Sequence, residues 1–201
     1  LFLHQGSVPQ GLPQRLLLPT SHERIKLLPA NTALATLERQ SPGQSGLGLV
    51  IAKSLAQLWG DFDHALIDSP PLLGILMVNA LAASQQLVIP VQTEFLAVKG
   101  LERMVSTLAM INRSRKQALP YLIVPTLFDR RTQASMSTLR ALRNAYPEQL
   151  WPAYIPVDTR LRDASRAGLT PSQFDPNCRA VLAYRALLKH LLSLQPAAQV
   201  A

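Results

Sequence analysis

Cysteine is nearly absent: Cys178 is the only one in 201 residues. That excludes an intramolecular disulfide framework and a Cys-rich zinc site, and a reducing, cytosolic compartment suits the chain best. Aromatic residues make up 5%, so a core has to be built from Leu, Ile, Val and Ala. Acidic residues are few, 12 against 20 Lys plus Arg, for a net charge of +8. Fifteen of the 20 cations are Arg, the side chain whose fork matches phosphate and carboxylate. Long hydrophobic runs are missing too; the best, Leu72 to Ala83, is about half a membrane span. The opening residues carry no charged-then-apolar pattern of secretory type. The chain opens on Leu1 rather than Met, and an N-terminal piece of the native protein is expected to be absent.

What is present is one domain's worth of aliphatic sequence, 48% hydrophobic, too apolar for wholesale disorder. Residues 1–22 are punctuated by Pro9, Gly11, Pro13 and Pro19 and read as loop-rich. Residues 195–201 read as a frayed tail. Ile25–Leu28 is strand-like, and Asn31-Thr32 offers a cap for a helix beginning at Ala33. Leu47, Val50, Ile51, Leu55 and Leu58 recur at helical spacing. So do Val98 to Ile111, Met136 to Tyr146, and Val181 to Leu191. Between the later helices lie short apolar runs: Ala65-Leu66-Ile67, Leu87-Val88-Ile89, Leu122-Ile123-Val124 and, more weakly, Tyr154-Ile155. Runs of this kind suit strands buried on both faces. The pattern predicts a single α/β domain, residues 1–201, with a mostly parallel twisted sheet flanked by helices.

In such a sheet ligands bind beyond the carboxyl ends of the strands. The exits here are Asp68-Ser69-Pro70-Pro71, Pro90 to Glu94, Thr126 to Arg131, and Pro156 to Arg160. An apolar strand ending in aspartate has the form of a Walker B segment, whose carboxylate approaches magnesium or its bound water. Taken alone, Asp68 reads first as a cap for the next helix.

Asp68 does not stand alone. Phe62-Asp63-His64-Ala65-Leu66-Ile67-Asp68-Ser69-Pro70-Pro71-Leu72-Leu73-Gly74 resembles the Walker B region of the ParA/MinD family of partition and positioning ATPases. Val78-Asn79-Ala80-Leu81, Val88 to Phe95 and Lys99-Gly100-Leu101 follow in the family's order. So do Phe128 to Thr132, Ile155 to Ser165, Phe174-Asp175-Pro176 and Ala183-Tyr184-Arg185. The resemblance spans about Ile25 to Leu192 and is closer to the ParA branch. Two parts of the pattern are missing: no Gly-rich phosphate loop with its lysines occurs, nor the second aspartate segment expected one strand after it. The nearest decoy, Gly48-Leu49-Val50-Ile51-Ala52-Lys53-Ser54, has Ala52 in place of a glycine and lies in a helical pattern, where Lys53 reads as a solvated residue.

The resemblance implies a P-loop NTPase-like fold of the deviant Walker type, without its P-loop strand. It implies ATP and Mg as cofactors of the complete protein, with Asp68 as the catalytic and magnesium-organising carboxylate. By the MinD branch, Thr126, Pro156 and Asp158 match positions around adenine, although Asp158 also reads as a simple cap. By the ParA branch, Arg130, Arg131, Arg160, Arg162 and Arg166 match segments that contact DNA without reading sequence; local ion pairs with Asp129 and Asp163 are the plainer reading. The implied activity is a nucleotide-switched ATPase that partitions or positions a plasmid, a chromosome region or a protein cluster. Implied partners are a second copy in the ATP state, nonspecific DNA, and an activating protein or cargo adaptor, in the bacterial cytosol or on the nucleoid. No basic amphipathic helix of the MinD membrane-anchor type closes the chain, so no membrane is expected. A non-enzymatic module that keeps the fold and binds DNA or a partner is the alternative. With no phosphate loop, the 201-residue chain is expected not to hydrolyse ATP by itself.

Overall fold

The structure is a computed structural model and describes residues 1–2, 6–40, 46–70, 74–113 and 115–194. The stretches 41–45, 71–73 and 195–201 lie outside these, so the loop expected around Ser41–Ser45, part of the Asp68 motif and the frayed tail are not described. The sequence reads as one domain, and the described chain divides into two compact units, Leu1–Gln85 and Gln86–Ala201.

The first unit holds α1 (Leu12–Leu16), β1 (Leu18–Pro19), β2 (Lys26–Leu27), α2 (Ala33–Gln40), a 3-10 turn (Leu47–Leu49), α3 (Val50–Gln57) and α4 (Ile75–Ala83). The opening is therefore more ordered than a loop. Pro13 sits in the first turn of α1, where its missing N–H costs nothing, and β1 pairs antiparallel with β2. Asn31 caps α2 as expected, its Oδ1 accepting from Ala33 N at 2.9 Å. Asn79 on α4 is wholly buried. Its Nδ2 donates to Leu47 O and Ile75 O at 2.7 and 2.8 Å, and its Oδ1 accepts from Ile51 N at 3.1 Å. One amide thereby ties the start of α3 to α4. Lys53 is helical, as expected, but not merely solvated: its Nζ donates to Gly6 O at 2.6 Å. Gly6 has φ +84°, and a Cβ there would lie 2.4 Å from Gly46 O, so only glycine fits.

One expected strand is not formed. Ala65-Leu66-Ile67 is irregular, and Leu66 is 99% exposed. A strand exists only with a neighbour to take its N–H and C=O groups, and no described residue forms a ladder with this run.

The second unit holds β3 (Leu87–Gln92), α5 (Phe95–Arg113), β4 (Tyr121–Thr126), α6 (Gln133–Ala145), α7 (Arg160–Arg166), α8 (Pro171–Phe174) and α9 (Arg179–Leu194). β3 and β4 pair in parallel, Leu87 opposite Tyr121 through Gln92 opposite Thr126. α5 makes the crossover that parallel strands require. β4 is buried on both faces, and alternate residues serve separate cores. Ile123 packs with Ile89, Leu101 and Leu142, while Leu122 and Val124 pack with Trp151, Ile155 and Leu187. The unit is thus α/β, a parallel pair with α5 and α6 packed on one side and α9 on the other.

The weak run at Tyr154-Ile155 follows β4 without becoming a strand. Ile123 N donates to Gln149 O at 2.8 Å and Trp151 N to Ile123 O at 2.8 Å, but the ladder then breaks. The next β4 donor on this side would be residue 125, which is proline and has no N–H. Contact resumes where Ile155 N donates to Pro125 O and Phe128 N to Ile155 O, at 2.8 and 3.1 Å, leaving only isolated bridges. Pro90 does no such damage. Leu87 N and Thr93 N donate to Pro120 O and Thr126 O, so odd-numbered β3 residues face β4 and the Pro90 nitrogen points the other way.

Candidate functional site

Parallel pairing brings the exits of β3 and β4 together. At the β3 exit Thr93 is buried; its N donates to Thr126 O at 3.1 Å and its Oγ1 bonds Ser135 Oγ at 3.0 Å. At the β4 exit Leu127 takes φ +51°, a left-handed conformation costly for a leucine. That turn delivers Phe128 to the broken ladder, where Val157 N donates to Phe128 O at 3.0 Å. The Phe128 and Tyr154 rings pack with centroids 4.1 Å apart, inclined by 40°.

Beside this aromatic pair lies a cavity of ≈ 620 Å³, walled by Phe128, Tyr154, Pro156 and Asp158 and rimmed by Asp129, Arg130, Arg131, Val157, Thr159 and Arg179. The lining joins two aromatic rings and a proline to charged side chains. Asp129 is chelated by Arg131, whose Nη2 reaches Oδ2 at 2.7 Å and whose Nε and backbone N reach Oδ1 at 2.9 and 3.0 Å. These bonds, the side-chain ones first, hold the Asp129 carboxyl at about 2. Asp158 Oδ1 accepts from Arg160 N and Oδ2 from Ala180 N, both at 3.1 Å. Burial pushes its carboxyl up, but the N–H groups of Ala180 and Arg160 and the charge of Arg179 outweigh that and leave it below its ordinary value. The capping reading of Asp158 is thus what the geometry displays. The Cys178 thiol also donates to this carboxylate, which keeps room for one further donor.

Of the residues expected around a base, Pro156 and Asp158 line the cavity and Thr126 does not; it ends β4 just behind Phe128. Arg130 and Arg131 reach the rim, and Arg131 is occupied by Asp129. Arg160 Nε lies 3.6 Å from Asp175 Oδ2. Arg130, Arg162 and Arg166 are exposed, and their side chains make no hydrogen bond or ion pair to a described residue; Arg162 and Arg166 stand one turn apart on α7. Asp68 belongs to the first unit, exposed in an irregular segment. No group of three or more potential metal ligands occurs among the described residues, nor a helix long and apolar enough to cross a membrane. Sequence reasoning assigned no role to Arg179. It sits 22 residues beyond Val157, and no spacing rule links the two.

Known proteins resemble this chain over most of its length. The family model of the AAA domain matches residues 11–121. The sporulation initiation inhibitor protein Soj of Bacillus subtilis is 28% identical over 173 residues, covering 86% of this chain and 68% of that protein. The chromosome partitioning protein ParA of Myxococcus xanthus is 28% identical over 180 residues, covering 89% of this chain and 64% of that protein. The chain thus spans about two thirds of the length of these curated relatives. Among solved structures, cobyrinic acid a,c-diamide synthase of Mycobacterium smegmatis, with a bound ATP analogue and magnesium, superposes with a TM-score of 0.70. It is 30% identical, covering 91% of this chain and 69% of that one. Matched over most of its length by partitioning relatives, and over more than half of it by the AAA-domain model, the chain belongs to the ParA/MinD family of partition and positioning ATPases.

Proposed function

We propose that the protein is a nucleotide-switched ATPase that positions a cargo, and that the cavity beside Phe128 and Tyr154 takes the adenine of ATP. The observation that carries this is the cavity's construction at the exit edge of the parallel pair. An aromatic wall offers a stacking face, Pro156 fixes the turn, and Asp158 is an ionised acceptor for an exocyclic amine. The residues present fit a base. Magnesium fits less completely: Asp68 is a single carboxylate, the usual donor set where nucleotide phosphates complete the shell. When bound, magnesium and ATP would supply the transferable phosphoryl group and its charge compensation. The second unit's own part is to hold the base at the cavity.

Nonspecific DNA is the partner that suits Arg130, Arg162 and Arg166, which are uncommitted to acidic neighbours. Arg131 and Arg160 enter only by leaving Asp129 and Asp175. A second copy of the chain in the ATP state, an activating protein or cargo adaptor, and a place in the bacterial cytosol or on the nucleoid complete the proposal, supported by the names of the partitioning relatives.

Photocrosslinking of the full-length protein with 8-azido-ATP and magnesium tests the base site. Label is expected on peptides spanning 126–131 and 154–159. Label confined to other peptides would overturn the assignment. Asp68→Ala is expected to abolish partner-stimulated hydrolysis while leaving the fold; unchanged turnover removes Asp68 from the chemistry.

A further inference from the structure

We propose that Arg179 is the positioning residue of the cavity, holding the Val157–Asp158 wall in the shape that distinguishes one base from another. This rests on the reading of the cavity as a base site. Two hydrogen bonds run in the same direction between the same two residue pairs, 22 positions apart: Arg179 Nη2 donates to Val157 O at 3.3 Å, and Ala180 N donates to Asp158 Oδ2 at 3.1 Å. The Ala180 contact uses backbone on the α9 side and survives loss of any side chain there. The Arg179 contact is a side-chain tether, and Arg179 is itself among the residues that line the cavity.

The turn from Pro156 to Thr159 needs such a tether because the ladder beside it is broken. Val157 N on Phe128 O is its one backbone tie to the β4 exit. Without the guanidinium the Val157 carbonyl loses its partner, and the peptide plane beside Asp158 is freer to turn. A site that reads a base edge tolerates only about 0.5 Å of such slack. Arg179 also acts electrostatically on both cavity carboxylates, favouring their charged forms. Asp129 already has Arg131, whereas the neighbouring guanidinium of Arg160 is turned to Asp175. Arg179 is therefore the cation that offsets Asp158.

The test uses the full-length protein and two probes, mant-ADP and mant-GDP with magnesium, titrated against wild type, Arg179→Ala and Arg179→Lys. Hydrogen exchange across 154–159 is followed with and without ADP. Arg179→Ala is expected to reduce the preference for ADP over GDP by about five- to tenfold, the size of one lost hydrogen bond of ordinary strength. Arg179→Lys, which keeps the charge and a donor, is expected to recover most of it. If ADP protects 154–159 in the wild type and Arg179→Ala keeps the wild-type preference, the role of Arg179 is overturned and the base site stands. Equal loss of affinity for both nucleotides, without rescue by lysine, would mean plain destabilisation and also overturn it. If ADP leaves 154–159 unprotected in the wild type, the base-site reading itself fails.

Discussion

At the scale of single residues, charge and burial decide which polar groups are spoken for. Asp129 and Arg131 form a chelate two residues apart, exposed enough that solvent screens it, yet its hydrogen bonds hold the Asp129 carboxyl at about 2 against an ordinary 3.8. A depressed carboxyl favours the folded state above its unfolded value, and that contribution disappears as pH falls through the folded one. The latch is thus expected to hold from neutral pH down to about 4 and to open toward about 2. NMR titration of the Asp129 carboxyl carbon checks this: the midpoint is expected near 2 in the wild type, moving up toward the ordinary value in Arg131→Ala. An unmoved midpoint would show that Arg131 does not hold Asp129 in solution. Asn79 is the buried counterpart. Asn79→Leu removes three hydrogen bonds and leaves Ile51 N and two carbonyls without that partner. A loss of about 2–4 kcal/mol is expected by urea denaturation.

At the scale of elements, prolines and one left-handed leucine set where strands stop. Pro125 ends the ladder with the segment at 149–157, and Leu127 turns the chain off β4 with φ +51°. A β-branched side chain suits that conformation worse than leucine, and glycine suits it best. Leu127→Val is expected to destabilise by about 1 kcal/mol, while Leu127→Gly stays neutral or gains up to about 1 kcal/mol. Thermal melts of both variants decide it; equal losses would show that the site is dominated by packing of the half-exposed leucine. The α6 cap is a milder case, Thr132 Oγ1 accepting from Ser135 N at 3.3 Å.

At the scale of the whole molecule, a net charge of +8 draws polyanions without selecting among sequences. Because Arg131 and Arg160 are engaged with Asp129 and Asp175, the uncommitted Arg130, Arg162 and Arg166 carry the expected DNA contact. With ATP present, replacing these three by alanine is expected to weaken binding to unrelated duplexes alike. The slope of log affinity against log salt is expected to fall by about one unit per arginine. Equal affinities and slopes in wild type and variant would remove these residues from a DNA site. The purified 201-residue chain is expected to show no magnesium-dependent ATP turnover, because its sequence offers no Gly-rich cradle with a lysine for the phosphates; measurable phosphate release would refute that.

By itself the sequence determined five of the helices (α2, α3, α5, α6 and α9), the two parallel strands and the family, but not α1, α4, α7 or α8. The apolar stripes at Val98–Ile111 and Val181–Leu191 recur every three or four residues, a local pattern, and the aliphatic runs at 87–89 and 122–124 became strands because each has the other as its parallel neighbour. Asn31 capping α2 and the order of motifs from Phe62 to Arg185 were legible as local patterns too. Tertiary structure decided the rest. Ala65–Ile67 has the composition of a strand, but a strand is a property of two segments, and no described neighbour pairs with it. Tyr154-Ile155 failed as a strand because of Pro125, a residue some thirty positions earlier. Asp158 reads from sequence as a base ligand or as a cap, and only tertiary structure brings Ala180 N onto its Oδ2 and places it in the cavity lining. Arg179 was invisible altogether, because the bond that gives it a role joins residues 22 positions apart, and only the packing of α9 against β4 brings them within reach.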